Sequence, residues 1–375
     1  MSLIYLDYNR TTPLAPSVLE AMQPFWSTHF MLPGQEHPHA QAVGESLEAA
    51  REGVSFLVGC EPFEIVFTSG GTESNNLGIL GSFGCGPPGH ALVSDLEHQS
   101  VIDAVAKLTL AGWKVGSLPC AANGQIDPQE VSSRLQDDTK LVCVQLANPI
   151  LGTIQPVREI ADACHKRGAM LHCDATQAFG KIPVDAAQLG ADTISISGHK
   201  FYGPKGSGAL FIRRGLALSP ITYGEPREMG LRPGAENIPA CVGIGAAASL
   251  ASRGISDAES NLGELRERLT KGLEQTISPA PKFLCSQAPR LPNTFAIELP
   301  TSARQVQRAA RHIAVSTAQS NTPPDEMTRA LRAIGCSDSQ IGRTLAISVG
   351  WTTTRDQIDR AIELLADACD THSLP

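Results

Sequence analysis

Short β-branched apolar runs alternate along this chain with stretches of helical period. Thr193–Ser197 (Thr-Ile-Ser-Ile-Ser) reads as a buried strand, and so do 64–68, 91–94, 141–147, 169–173 and 209–212. Helices are expected over 16–25, 47–57 and 157–167. Strands alternating with helices at this spacing predict an α/β architecture, a mostly parallel sheet covered by helices on both faces. In such sheets ligands gather beyond the carboxyl ends of the strands. Residues 68–72, His98, Asn148, Asp174, Gln177 and Lys200 all fall at such ends.

From about residue 256 the pattern changes. A charged amphipathic helix at 261–276 leads to a strand at 293–298, a helix at 303–310, a strand at 345–349 and a helix at 355–368. The last helix has Ile358, Ile362 and Leu365 on one face, and Thr354 with Gln357 supplies a capping box. The expected division is a large domain at 16–255 and a smaller C-terminal α+β domain at 256–375. The N-terminal segment, 1–15, is expected to pack with the smaller domain.

A length of 375 residues accommodates two domains. Net charge is −8 with no basic run, so nucleic-acid or anionic-membrane binding has no electrostatic support. The ten cysteines include no Cys-x-x-Cys pair, which argues against a disulfide framework and for a reducing compartment. Asp7 comes too early for a signal peptide, and no apolar run approaches membrane-spanning length. A soluble cytoplasmic protein is expected. His37 and His39 have no acidic or cysteine partner at ligand spacing, so no metal site is expected.

The chemistry centres on Ser197-Gly-His199-Lys200, where a buried strand gives way to a glycine-rich loop. A lysine there suits a Schiff base to an aldehyde cofactor, because desolvation lowers its pKa and the glycines leave room for a ring. Upstream, Asp174 in His-Cys-Asp-Ala-Thr-Gln177 is placed to pair with a pyridinium nitrogen. Further upstream, Thr68-Ser-Gly-Gly71-Thr72 runs from strand to helix start, where free amides bind phosphate. Each feature alone is common, since an aspartate after a strand is more often a helix cap. Together, in this order, they spell pyridoxal phosphate.

On these residues, and on segments running from Tyr5-Leu-Asp-Tyr-Asn-Arg-Thr-Thr-Pro13 to Ser348-Val-Gly-Trp-Thr-Thr-Thr354, the chain resembles the NifS/IscS-type cysteine desulfurases. These belong to the class V aminotransferases of pyridoxal-phosphate fold type I. The resemblance implies a large domain with a mostly parallel sheet of seven strands and a smaller C-terminal domain. It implies that His98 stacks on the cofactor ring, with Gly71, Thr72, Asn148, Asp174, Gln177, Ser197, His199 and Lys200 also binding cofactor; Lys200 and His98 would be catalytic. Gly230-Leu-Arg232-Pro-Gly-Ala-Glu-Asn237 matches a loop that reaches the neighbouring subunit's site in such proteins, which implies a homodimer. Arg232 is a candidate for binding a substrate anion.

The chain departs from that pattern in the parts that handle substrate. The family's nucleophilic cysteine lies in a Ser-Gly-Ser-Ala-Cys segment; the counterpart, 314–324, contains no cysteine, and Asn321 takes its place. Cys336 is the nearest downstream thiol. The family's carboxylate-binding arginine is Ala346 here. Arg343 is a nearby substitute, although strand alternation faces it away from Ala346. Pro149 replaces the second asparagine of an Asn-Asn-Glu-Ile-Gly motif, and Ala235 replaces a cross-subunit threonine. The first expectation is therefore an enzyme acting on an amino-acid substrate as a C–S lyase, by β-elimination without an enzyme persulfide. The alternatives are an orthodox cysteine desulfurase using another thiol, with a sulfur-acceptor protein as partner, and a catalytically retired dimeric scaffold.

Overall fold

The computed structural model describes residues 3–83, 87–319 and 322–370. Its strands in chain order are β1 (Ile4–Tyr5), β2 (Ile65–Thr68), β3 (His90–Ser94), β4 (Lys114–Leu118), β5 (Thr139–Cys143), β6 (Met170–Asp174), β7 (Thr193–Ser197) and β8 (Gly208–Ile212). These are followed by β9 (Lys282–Phe283), β10 (Thr294–Glu298), β11 (Ile313–Ala314), β12 (Ser316–Thr317) and β13 (Thr344–Ser348).

Seven of them form one sheet in the order β2-β8-β7-β6-β5-β3-β4. Only β8 runs against the rest, pairing antiparallel with both β2 and β7. The mostly parallel sheet expected from the alternation is therefore present. β7 and β8 are buried at every position, as strands covered on both faces must be. A second, antiparallel sheet, β12-β13-β10-β9, carries the C-terminal part of the chain, and β1 pairs in parallel with β11 beside it.

Two helices are longer than their sequence pattern suggests. Pro38–Val58 begins well before residue 47, because His37 accepts the Ala40 N–H and Pro38 fits the first helical position. The segment expected as a helix at 261–276 is the end of a 39-residue helix, Ile238–Thr276. Three glycines in its first half, Gly243, Gly245 and Gly254, each cost helix propensity relative to alanine, and packing offsets them. At Gly245 a Cβ would lie 2.5 Å from the Ala50 Cα, so the helices meet only because glycine is there. This helix contributes Ile238, Ile244 and Ala251 to the core under the large sheet, then Leu262, Leu269 and Leu273 to the core of the C-terminal sheet. Against the expectation of no membrane-length apolar run, it is long and apolar enough by composition to cross a membrane; half of that stretch is buried inside the protein.

Candidate cofactor and active site

A cavity of about 280 Å³ lies at the carboxyl ends of the parallel strands. Eight of the sequence-predicted residues line it: Gly71, Thr72, His98, Asp174, Gln177, Ser197, His199 and Lys200. The C-terminal sheet closes the other side with Ser316, Ala346, Ile347 and Ser348, and Glu326 joins from the helix Glu326–Ala333.

Asp174, the last residue of β6, is tied on both oxygens. Oδ1 accepts from the Thr176 amide (3.0 Å) and hydroxyl (2.7 Å), while Oδ2 accepts from Asn75 Nδ2 at 2.8 Å. Asn75 Nδ2 also donates to Ser100 Oγ at 2.9 Å, and Asn75 Oδ1 meets His172 Nε2 at 3.0 Å. An amide oxygen only accepts, so His172 carries its proton on Nε2, and its Nδ1 accepts from Thr193 Oγ1 at 2.8 Å. Burial pulls the His172 pKa down to about 4, consistent with a neutral ring. Ser100 in turn meets His98 Nδ1 through both its hydroxyl (2.8 Å) and its amide (3.1 Å). One asparagine thus orients the acid on one side and, through Ser100, the imidazole on the other. The sequence reading did not single out Asn75; its only signal was its place one turn into the helix Gly71–Leu80.

Lys200 Nζ donates to the carbonyls of Asn9 (2.7 Å) and Arg10 (3.1 Å), and burial lowers its pKa from the ordinary lysine value. The N-terminal segment holds this loop firmly. Thr12 donates from both its amide and its hydroxyl to the His199 carbonyl, and Thr11 Oγ1 meets His199 Nδ1 at 3.0 Å. Burial, then the neighbouring lysine charges, push the His199 pKa down to about 4. Gln177 has both ends of its amide engaged, Nε2 with the Asn9 carbonyl and Oε1 with the buried Lys181 amine.

At the start of the helix Gly71–Leu80, Gly70 has φ 149°, a conformation side-chain-bearing residues rarely adopt. No side chain caps this end, so its first N–H groups are free for an anion.

Other predicted residues lie elsewhere. Asn148 is fully buried and does not line the cavity; its Oδ1 accepts from the amides of Ile150 and Leu151, so the turn consumes it. Arg232 pairs with Glu73 at 3.3 Å on a separate small cavity. Arg343 pairs with Glu298 at 2.5 Å, away from the cavity that Ala346 lines. Asn321 lies outside the described residues. No cysteine is among the described residues lining the cavity. Burial raises the thiol pKa of Cys336, and pushes those of Cys120 and Cys285 up to about 11, the reverse of nucleophile activation.

A free helix N-terminus, a carboxylate fixed by three donors, an imidazole and a desolvated amine around one cavity fit a phosphorylated pyridine aldehyde. Comparison with known proteins leads to the same place. The family model described as Aminotransferase class-V matches residues 4–360. The cysteine desulfurase IscS of Anaeromyxobacter dehalogenans is 37% identical over 372 residues, 97% of this chain and 92% of that protein. Cysteine desulfurase IscS 1 of Archaeoglobus fulgidus is 36% identical over 369 residues, 96% of this chain and 95% of its own. A solved NifS-like protein superposes with a TM-score of 0.92 at 30% identity, covering 99% of this chain and 100% of that one. SspA in complex with cysteine superposes at 0.82 with 32% identity, covering 92% and 98%.

Proposed function

We propose, from the premise that this chain belongs to the class V aminotransferases and is a cysteine desulfurase-like protein of that pyridoxal-phosphate-dependent family, that it removes sulfur from cysteine. The observation that carries the reading is the convergence of Lys200, Asp174, His98 and the Gly71–Thr72 helix start on one cavity. The lyase reading preferred on sequence grounds has less behind it, because the similar proteins are named cysteine desulfurases.

Pyridoxal phosphate, when bound, supplies an electron sink for cleavage of bonds at and beside the substrate's α-carbon. Lys200 Nζ, whose burial lowers its pKa and so favours the free amine, would hold the aldehyde and, once released, would move a proton at that carbon. Asp174 would hold the ring nitrogen, His98 would cover the ring face, and Gly71, Thr72, Ser197, His199 and Gln177 would contribute to the remaining cofactor wall. Desulfuration converts cysteine and a thiol, RSH, into alanine and a persulfide, RSSH. Segment 314–324 has no cysteine, so the receiving thiol is assigned to another protein or a small thiol. That same absence favours the second reading, β-elimination, in which cysteine and water give pyruvate, ammonia and hydrogen sulfide. Retention of Lys200 speaks against a retired scaffold, which has no use for a buried amine.

The experiment is product analysis with purified protein, added cofactor, cysteine and a thiol acceptor. Alanine in step with persulfide supports desulfuration; pyruvate in its place transfers the assignment to the second reading; neither product retires both. The loop at 230–237 and the exposed Trp26, Phe30, Phe56 and Met229 support a homodimer, to be checked by light scattering. The cytoplasm is the proposed compartment.

A further inference from the structure

We infer that Arg10 receives the α-carboxylate of the substrate. This deepens the proposed function and rests on it. An amino acid bound through its amine still presents a carboxylate, and a bidentate arginine is the side chain best matched to that group. On the C-terminal wall the sequence offers Ala346, which has no donor. Arg10 and Lys200 are the only arginine and lysine among the described residues lining the cavity. Lys200 is committed to the cofactor in the proposed reaction.

The segment carrying Arg10 is fixed on both sides. Asn9 donates from its amide to Ser348 Oγ (2.9 Å) and from Nδ2 to the Pro149 carbonyl and Thr294 Oγ1 (2.8 Å each). The Arg10 amide bonds the Asp7 carbonyl at 2.9 Å, and the Arg10 carbonyl accepts from Lys200 Nζ at 3.1 Å. The backbone that carries the guanidinium is thereby fixed, on the very residue whose carbonyl touches the reactive amine. Ser348 and Ala346 are two apart on β13 and share a face, and both line the cavity that Arg10 also lines.

Its guanidinium makes no hydrogen bond or ion pair with any described residue. The other arginines nearby are engaged: Arg232 with Glu73, Arg343 with Glu298, and Arg329 with the carbonyls of Pro324 and Glu97. Of the acids in the cavity, Asp174 is satisfied by Asn75 and Thr176, and Asp7 accepts from Ser316 Oγ at 2.9 Å. Glu326 lies beyond ion-pair distance of Arg10. An unpaired guanidinium on a fixed backbone, facing a cavity with a reactive amine, is prepared for an anion from outside.

The test compares L-cysteine with cysteamine, which keeps the thiol and the amine but lacks the carboxylate. Cofactor-loaded protein is titrated with each, and binding is read from the change in cofactor absorbance. In Arg10→Ala, cysteine affinity is expected to fall about tenfold to a hundredfold, the worth of one charge-assisted pair. Cysteamine affinity is expected to stay as in the parent, so the preference between the two collapses. Arg10→Lys, which keeps the charge but not the fork, is expected to lose an intermediate factor, and it carries the test if Arg10→Ala loads cofactor poorly. An unchanged cysteine-to-cysteamine ratio in the variants overturns this assignment alone. No response of the loaded parent to either amine overturns the assignment together with the proposed function.

Discussion

On one wall of the cavity a continuous chain of hydrogen bonds joins the acid to the imidazole; on the other no such chain among the described residues links Ala346, Glu326 and Arg10. The cofactor wall runs Thr193–His172–Asn75–Asp174 without a break, then through Ser100 to His98. The substrate wall offers Ala346, Ser348, Ser316, Glu326 and an unpaired Arg10. The first wall is rigid because removing any member strands a buried polar group. On the second, Ala346 has no polar side-chain atom and the Arg10 guanidinium has no partner among the described residues, so substitution at these two strands little. The resemblance places its departures on this second wall, at Ala346, and in segment 314–324.

The sharpest way to break this contrast is to remove the amine that both walls share. Lys200→Ala is expected to abolish borohydride-stable cofactor labelling at this site and to cut turnover by about 10²–10⁴-fold or more. Peptide mapping after reduction, together with product assays, checks both. Labelling that persists in the variant would mean that another amine holds the cofactor, and the cofactor wall would lose its meaning.

A smaller effect is expected one step back from the cavity. Asn75→Ala leaves Asp174 Oδ2, His172 Nε2 and Ser100 Oγ each short of a partner. Leaving a buried polar group unpaired costs about 1–3 kcal/mol. Weaker cofactor binding and a lower melting temperature are therefore expected together, measured by cofactor titration and thermal unfolding. Arg10→Ala, on the other wall, is expected to leave both near the parent values. If Asn75→Ala leaves cofactor affinity untouched, the hydrogen-bonded chain is not what orients Asp174.

The strand-end positions were legible in the sequence. Lys200, Asp174, His98 and Gly71–Thr72 each follow an apolar run whose period marks a strand, and topology alone carries such ends to one rim. Asn75 was not legible as a site residue, because its role depends on bonds to Asp174 and His172, nearly a hundred residues away. Asn148 shows the opposite failure. Its position at a strand end suggested a cofactor contact, but an asparagine before a turn can spend its oxygen on the following amides, and this one does. The helix Ile238–Thr276 was half hidden for a third reason: Gly245 lowers propensity at the very position where close packing against Pro38–Val58 needs it.

The last expected effect is read from pH dependence alone and concerns a charge that the cofactor wall suppresses. Glu97, next to His98, is almost fully buried; its Oε1 accepts from Ser94 Oγ and the Gln145 amide, while its Oε2 has no partner. Burial raises its pKa to about 8, so below that pH the folded protein keeps the carboxyl protonated. The unfolded chain releases that proton near pH 4.3, the usual glutamate value. Between these two values the folded state binds more protons, and its stability therefore falls as pH rises. The stabilising share is fully present below about pH 4 and is lost progressively up to about pH 8. One proton limits the slope to about 1.4 kcal/mol per pH unit. Glu97→Gln has no proton to release, so urea unfolding at pH 5 and pH 8 is expected to differ less in the variant than in the parent. Identical pH dependence in the two proteins would place a charged Glu97 in the folded state, and the cofactor wall would then contain an uncompensated buried anion beside the imidazole meant to cover the ring.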